Sequence, residues 1–389
     1  VGEPILLAGG GTAGHVNPLL ATAAELASRG HAPAALGTSM GLEADLVPRA
    51  GLELFTVPKV PMPRRPSMDL VRLPMNLKRA VDAAGHAIDE IGAKAVVGFG
   101  GYASTPAYLA ARRRGLPVIV HEANMMPGLA NKLGARWAAA VATTFPSTPL
   151  KGAVVTGLPL RAQIGELAPI LLEDSSRAEA QAAARRALGW PEDAAVLLVT
   201  GGSSGAASLN AATVGAAERL TAHGVHVIHL TGIGKADDAL RVRGGMSAAH
   251  REMYKVEEYA HDMAAMLSAA GAVVARSGAG MVCELTALAI PALYVPLPHG
   301  NGEQGLNAGP AVDAGAATMI RDADLTPASI EMAAEQMLLD KEAPARMRAA
   351  ARRVGIADGS ARLADLVEQQ LNAETRSTPN EQSTPEEQP

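Results

Sequence analysis

With 389 residues, 48% of them hydrophobic, the chain can bury more than one full core, and its length favours two domains over one. A net charge of −5 leaves nothing global to attract nucleic acid, so an anionic partner has to be held by local groups. The single cysteine, Cys283, excludes an internal disulfide framework and suits a reducing, cytoplasmic compartment, and 3% aromatics beside abundant Gly and Ala favour an α/β class over a sandwich built on aromatic pairs.

The first residues run straight into Ile5-Leu6-Leu7-Ala8 with no basic and apolar leader, so a secretory signal is not expected. Gly9-Gly10-Gly11-Thr12-Ala13-Gly14-His15 follows, then a helical pattern over residues 18–28: strand, glycine turn, helix. Further apolar strands are expected at 34–36, 95–99 and 118–120, with Ala-rich helical stretches such as 105–113 between them, the pattern of βαβ units on a parallel sheet. Between Lys59 and Arg79 the basic residues Lys59, Arg64, Arg65, Arg72, Lys78 and Arg79 interleave with apolar ones such as Met62, Met68 and Met75. An amphipathic helix with a charged face is the common meaning of such a pattern; docking on anionic lipid is the other.

The second half restarts with an apolar run at 194–200 that ends in Gly201-Gly202-Ser203-Ser204-Gly205-Ala206, echoing the opening of the chain. Strands at 225–230, 272–274 and 292–295 complete a second doubly wound pattern. The expected domains are therefore 1–160 and 161–351, with a helix at 352–370 completing the first and a disordered Pro/Ser/Thr/Glu/Gln tail over 372–389. Residues 285–302 carry no Asp, Glu, Lys or Arg, but Pro291, Pro296 and Pro298 make buried strand and loop the better reading than a transmembrane span.

Gly9, Gly11 and Gly14 fit G-x-G-x-x-G, a weak signal alone. A dinucleotide site would also place an acid about 20 residues further on; Gly37-Thr38-Ser39 stands there instead, so NAD becomes a minority reading. The turn at 201–206 offers amides and two hydroxyls at a helix start, and Arg276-Ser277-Gly278-Ala279-Gly280 opens a third helix that carries Glu284 about two turns in. A carboxylate there can take both hydroxyls of a ribose while amides face phosphates, so the turns imply a nucleoside diphosphate ligand in a cleft between the halves.

Six motifs occur in one order: Gly10-Gly11-Thr12-Ala13-Gly14-His15, His121-Glu122-Ala123-Asn124, Gly157-Leu158-Pro159-Leu160-Arg161, the 201–206 turn, Arg276-Ser277-Gly278-Ala279 with Glu284, and Gln304 with Asn307-Ala308. Over residues 5–367 the chain thereby resembles the MurG family, the UDP-GlcNAc:N-acetylmuramyl-(pentapeptide)-diphosphoryl-undecaprenol GlcNAc transferases. Ala13, Leu158, Ser204 and Glu303 stand where that family commonly has Gly, Asn, Gln and Gln. The resemblance implies a GT-B glycosyltransferase fold, two Rossmann-like domains with parallel sheets facing a central cleft. It implies inverting transfer of GlcNAc from UDP-GlcNAc to the C4 hydroxyl of undecaprenyl-linked MurNAc-pentapeptide, lipid I to lipid II, in peptidoglycan synthesis.

By that resemblance His15 is the preferred general base, with Glu122 or Asn124 through water as substitutes, and Thr12, Ala13 and Gly14 lie at the substrate. Uracil would sit near Met263, Glu284 would bind the ribose, and Arg161, Ser203, Gly278 and Ala279 would hold the diphosphate. Asn124, Glu303 and Gln304 would read the GlcNAc hydroxyls. Arg64, Arg65, Arg72, Met75, Lys78 and Arg79 would meet an anionic membrane surface, making the enzyme peripheral on the cytoplasmic side, with cell-wall or division proteins as further partners. No cofactor and no obligatory metal are implied; Asp322-Ala323-Asp324 resembles a metal-holding D-x-D but precedes Thr326-Pro327, where acids and Thr start helices. His121 reads as a structural hydrogen-bonder. Taken singly, Arg161 as the close of a turn, Asn124 as a loop cap and Glu284 as a solvated helix charge are the commoner meanings; as a set at strand ends they are not.

Four rivals stay open, one of them a NAD-dependent oxidoreductase on the first loop alone. A UDP-sugar transferase for another lipid or natural product, or a UDP-GlcNAc epimerase, would use the same loops. A nucleotide sensor without turnover would keep Glu284 and have no use for His15.

Overall fold

The computed structural model describes residues 2–60 and 68–377, with side chains from 72 to 373 in the second stretch. The chain divides into two units. One comprises residues 1–123, 127–159 and 359–389, the other residues 124–126 and 160–358.

In the first unit strands and helices alternate as far as the sixth strand, which the seventh follows with no helix between. The strands are β1 (Pro4–Ala8), β2 (Ala32–Gly37), β3 (Leu54–Thr56), β4 (Ala95–Gly98), β5 (Val118–Glu122), β6 (Ala140–Thr143) and β7 (Val154–Val155). Between them run α1 (Ala13–Ser28), α2 (Glu43–Arg49), α3 (Met68–Ile91), α4 (Ser104–Arg113) and α5 (Leu129–Gly134). All strand pairs are parallel, in the order β3-β2-β1-β4-β5-β6-β7. The order reverses between β1 and β4, so the turns leaving those two strands diverge from a common point. Both faces of the sheet are covered, which is why its strands read as continuous apolar runs. Leu6, Ala8 and Leu36 face α3 and α4, while Ile5, Leu7 and Ala35 face α1 and the C-terminal helix.

The second unit repeats the plan. After α6 (Ala162–Leu172) and α7 (Asp174–Ala187) come β8 (Ala195–Thr200), α8 (Ala207–Ala222), β9 (Val225–Leu230), α9 (Asp237–Gly245), α10 (Ala248–Met253) and β10 (Tyr254–Glu257). Then follow α11 (Met263–Ala269), β11 (Ala272–Ala275), α12 (Ala279–Ala287), β12 (Ala292–Tyr294), α13 (Glu303–Asp313), β13 (Ala317–Met319), α14 (Pro327–Ala334) and α15 (Ala343–Val354). The parallel order β10-β9-β8-β11-β12-β13 places the reversal between β8 and β11. Leu197, Val199, Val225 and Val227 pack with Leu209 and Leu220 of α8 and Ile330 of α14 in its core.

The last helix, α16 (Gly359–Ser377), returns to the first unit. Leu363, Ala364, Leu366, Val367 and Leu371 are buried against α1, and Arg29, the C-cap of α1, bonds to Asp365, Glu368 and the Ala361 carbonyl. Each buried Leu or Val contributes about 1.5–3 kcal/mol and each half-exposed ion pair about 0–1 kcal/mol, so apolar packing holds the helix.

Two expectations need correction. The return begins at Gly359 and not at Arg352: Arg352 bonds to Asp174, and Gly355 packs so tightly on the Thr286 carbonyl that a Cβ would stand 2.3 Å from its oxygen, both within the second unit. The stretch expected to be a tail from Asn372 starts as helix, which runs to Ser377 because Leu371 seals one face and Glu, Gln and Ala favour helix. Residues 378–389 lie outside the described residues.

Candidate functional site

The turn after β1 is shaped by Gly11, at φ +87°, and leads into α1 with Thr12 as its N-cap; Thr12, Ala13 and Gly14 are exposed there. His15, half-buried in the first turn, has its Nδ1 3.0 Å from the Gly10 carbonyl oxygen. A carbonyl only accepts, so Nδ1 carries the proton and Nε2 of the neutral ring carries the lone pair. That Nε2 faces the turn after β4: a Cβ on Gly100 would come within 3.1 Å of it. Beside it, Tyr102 lies with the Lys59 ammonium 5.0 Å from its ring centre.

Beneath this turn lies a residue that sequence reasoning missed. Glu43, fully buried at the start of α2, accepts from the Gly11 N–H at 2.8 Å, the Thr38 N–H at 2.9 Å and the Thr38 hydroxyl at 2.7 Å. Burial pushes its pKa up, but the Thr38 and Gly11 donors outweigh that and hold it below the ordinary carboxylate range. The readable signal was an acid in a first helical turn flanked by Gly37 and Gly41.

The motif around β5 separates into bracing and presenting parts. His121 is buried and donates from Nε2 to the Gly157 carbonyl at 3.0 Å; burial lowers its pKa to about 4, so it stays neutral and structural. Glu122, the substitute base, accepts from Asn131 Nδ2 and the Gly128 N–H at 2.9 Å each, which commits it to the turn that follows. Residues 124–126 group with the second unit. There buried Asn307 of α13 accepts the Met125 N–H at 2.8 Å and donates to Asn124 Oδ1 at 3.1 Å. Asn307 stood in a motif but not among the expected site residues; its role is to fix Asn124.

In the second unit the turn at 201–206 is pinned from the β9 side. Lys235 Nζ donates to the Ser204 carbonyl at 2.7 Å, and Gly205 approaches the Thr231 carbonyl so closely that a Cβ would stand 2.1 Å from its oxygen. Ser203 is exposed on this turn. Behind it, His229 of β9 accepts from the Tyr254 hydroxyl at 2.8 Å and donates to Asn210 Oδ1 at 3.1 Å, and Asn210 donates to the Thr231 carbonyl at 2.8 Å. Burial lowers the His229 pKa to about 4, so the ring is neutral, and because Asn210 Oδ1 can only accept, the proton is on Nε2 and Nδ1 accepts.

Gly278 caps α12 without a side-chain bond, which leaves the first-turn amides outward with the positive end of the helix. Glu284, only 6% exposed, takes a two-pronged bond from Arg161: Nε to Oε1 at 3.0 Å, and one Nη to Oε1 and Oε2 at 2.8 and 2.9 Å. The residues expected at ribose and at diphosphate are thus brought together as a pair. Burial raises the Glu284 pKa against the opposing pull of Arg161. Glu303 and Gln304 open α13; Gln304 Oε1 accepts the Leu297 N–H at 3.0 Å, and Glu303 is bonded by Asn301. Met263 opens α11, half-buried.

Arg72, Met75, Lys78 and Arg79 lie exposed on α3, Met75 at 51%, with Lys78 bonded to Asp82; Arg64 and Arg65 lie outside the described residues. Asp322 pairs with Arg276 at 2.6 Å and Asp324 with Arg321 at 2.6 Å, just ahead of a capping box at Thr326, so the D-x-D is a turn held by ion pairs. Among the described residues no three His, Cys, Asp or Glu cluster to hold a metal, and no helix is long and apolar enough to cross a membrane.

The glycosyltransferase family 28 N-terminal domain matches residues 5–143, and the C-terminal domain of the same family matches residues 196–366. A UDP-N-acetylglucosamine–N-acetylmuramyl-(pentapeptide) pyrophosphoryl-undecaprenol N-acetylglucosamine transferase of Clavibacter sepedonicus is 50% identical over 365 residues, 93% of this chain and 95% of that protein. The protein of the same description from Clavibacter michiganensis subsp. michiganensis is 49% identical over the same shares. The crystal structure of Acinetobacter baumannii MurG superposes with a TM-score of 0.74 at 25% identity, over 94% of this chain and 99% of that one.

Proposed function

The chain belongs to glycosyltransferase family 28, among the UDP-GlcNAc–N-acetylmuramyl-(pentapeptide) pyrophosphoryl-undecaprenol GlcNAc transferases, and on that footing we propose how its residues perform the transfer. It is a hexosyltransferase of the GT-B fold that moves GlcNAc from UDP-GlcNAc to lipid I, giving lipid II in peptidoglycan synthesis.

The observation that carries the catalytic reading is the His15 ring, held through Nδ1 by Gly10 with Nε2 left basic at the reversal point of the first sheet. His15 Nε2 takes the proton of the acceptor C4 hydroxyl; the oxygen attacks the anomeric carbon opposite UDP, the bond to UDP breaks, and the configuration inverts. Such a base supplies about 10²–10⁴-fold. Thr12, Ala13 and Gly14 lie along the acceptor. In the second unit, Arg161, Ser203 and the amides at Gly278 and Ala279 stabilise the charge growing on departing UDP. Glu284 takes the ribose hydroxyls with the oxygen sites Arg161 leaves open, Met263 lies at the uracil, and Asn124, Glu303 and Gln304 read the sugar.

Metal is dispensable in this scheme because helix ends and Arg161 supply the positive charge. Arg72, Met75, Lys78 and Arg79, with Arg64 and Arg65, dock the enzyme peripherally on the anionic cytoplasmic face of the membrane; binding to anionic but not neutral vesicles, lost on reversing those charges, tests this. The reaction is tested by labelled GlcNAc transfer to a short-chain polyprenyl-diphosphoryl-MurNAc-pentapeptide in EDTA. Labelled disaccharide lipid is the expected result; epimerised sugar without transfer would overturn the reading.

A further inference from the structure

The amide joining Gly10 to Gly11 is engaged at both ends. Its carbonyl oxygen accepts from His15 Nδ1 at 3.0 Å, and its N–H donates to Glu43 Oε2 at 2.8 Å. The bond is trans, so the two groups point to opposite sides of one planar unit, with the imidazole on one side and the buried carboxylate on the other. We propose that Glu43 is the positioning carboxylate of His15, acting through the Gly10–Gly11 amide; this rests on His15 as the base.

The chemistry follows from polarisation. A carboxylate that accepts an amide N–H draws the amide dipole toward itself and raises the electron density on the carbonyl oxygen. The bond from Nδ1–H to that oxygen then holds the ring in the Nδ1–H form and strengthens when the ring becomes a cation. When Nε2 takes the acceptor proton, the proton stays on Nε2; Glu43 receives none and stabilises the imidazolium at one remove. In a Ser-His-Asp triad the carboxylate touches the ring directly, and its loss costs about 10⁴-fold. Here an amide intervenes, so the smaller loss of about 10–100-fold is expected.

The surroundings commit to this carboxylate. A Cβ on Gly10 would stand 2.4 Å from Glu43 Oε1, on Gly41 2.2 Å from Oε2, and on Gly37 2.5 Å from Cγ. Three glycines leave room for one side chain, and its two oxygens collect three donors. A plain strut for the turn would not need a negative charge on the far end of the peptide unit that makes the shorter of the two bonds to His15 Nδ1, 3.0 Å against 3.3 Å for the Thr12 hydroxyl.

The test is Glu43→Gln in the wild-type and His15→Ala backgrounds, with kcat, both KM values and ¹⁵N-histidine spectra of the full chain. Glu43→Gln should lower kcat about 10–100-fold while both KM values stay within about twofold, and it should change kcat by less than about twofold once His15 is Ala. The His15 nitrogen signals should move from the Nδ1–H form toward a mixture of tautomers. An equal loss in both backgrounds with an unchanged tautomer would make Glu43 a strut and overturn the proposal. In the wild-type enzyme an Nε2–H ring would overturn it too, even if Glu43→Gln fails to fold. Full activity in His15→Ala would instead sink the base reading itself.

Discussion

The turn after β1 and the turn after β8 occupy the same place in two sheets of the same strand order, yet opposite charges brace them. Under the first, Gly11 directs its N–H into the Glu43 carboxylate, and Gly10 turns its carbonyl to an imidazole. Beside the second, the cation Lys235 binds the Ser204 carbonyl, and among the described residues no carboxylate accepts from the turn's amides. A strand–glycine–helix unit supplies an anion site by default, and no acid is bonded to the amides of the second turn among the described residues. A buried acid converts the first into a holder for the His15 imidazole. Equal topology therefore does not mean equal chemistry; what sits under the turn decides.

Substitution at the reacting end should break this contrast most sharply. His15→Ala is expected to lower kcat about 10²–10⁴-fold, with UDP-GlcNAc affinity by calorimetry unchanged because the residues proposed to hold the donor belong to the other unit. A parallel loss of donor affinity would show that His15 belongs to the donor side.

Acid should next weaken both units through their buried rings. His121 and His229 have pKa values lowered to about 4 by burial, so between about pH 6.5 and 4 the unfolded chain binds more protons than the folded one. Stability is therefore complete above about pH 6.5 and falls as the pH drops through that window, by at most roughly 3 kcal/mol for each ring. Burial lowers the His226 pKa as well, adding in the same direction. Urea midpoints measured across this window should fall, and His229→Gln should flatten the slope; a flat wild-type profile would contradict neutral burial.

Arg161→Met should raise the KM for UDP-GlcNAc by about 10–100-fold, the worth of a charge-assisted bond of about 1.5–3 kcal/mol, with kcat for bound donor falling too. An unchanged KM would leave Arg161 as only the partner of Glu284. The smallest effect is expected from Lys235→Met, which should raise donor KM by no more than about fivefold, since one exposed cation contributes at most about 1 kcal/mol. A drop in acceptor affinity instead would contradict the division between the turns.

Much of this was legible beforehand because the signals are local. Strand, glycine turn and helix follow one another within about twenty residues, so both openings, His15, the 201–206 turn and the start of α12 could be read from residue types in order. The short strands β3, β6, β7, β10 and β13, of two to four residues, were missed; they are strands by pairing with a neighbour, and length alone is not the reason, since β4, β11 and β12 are as short and were read.

The sequence by itself determined two doubly wound units, their glycine turns and the family, because each depends on hydrophobic runs and neighbouring residues. Tertiary structure alone decided the partners. Glu43 lies 32 positions from Gly11, Glu284 lies 123 from Arg161, and Asn307 lies 183 from Asn124. A buried carboxylate or amide is satisfied by whatever donors the sheet order brings to it, and that order is fixed by strand pairing over the whole unit, not by spacing along the chain.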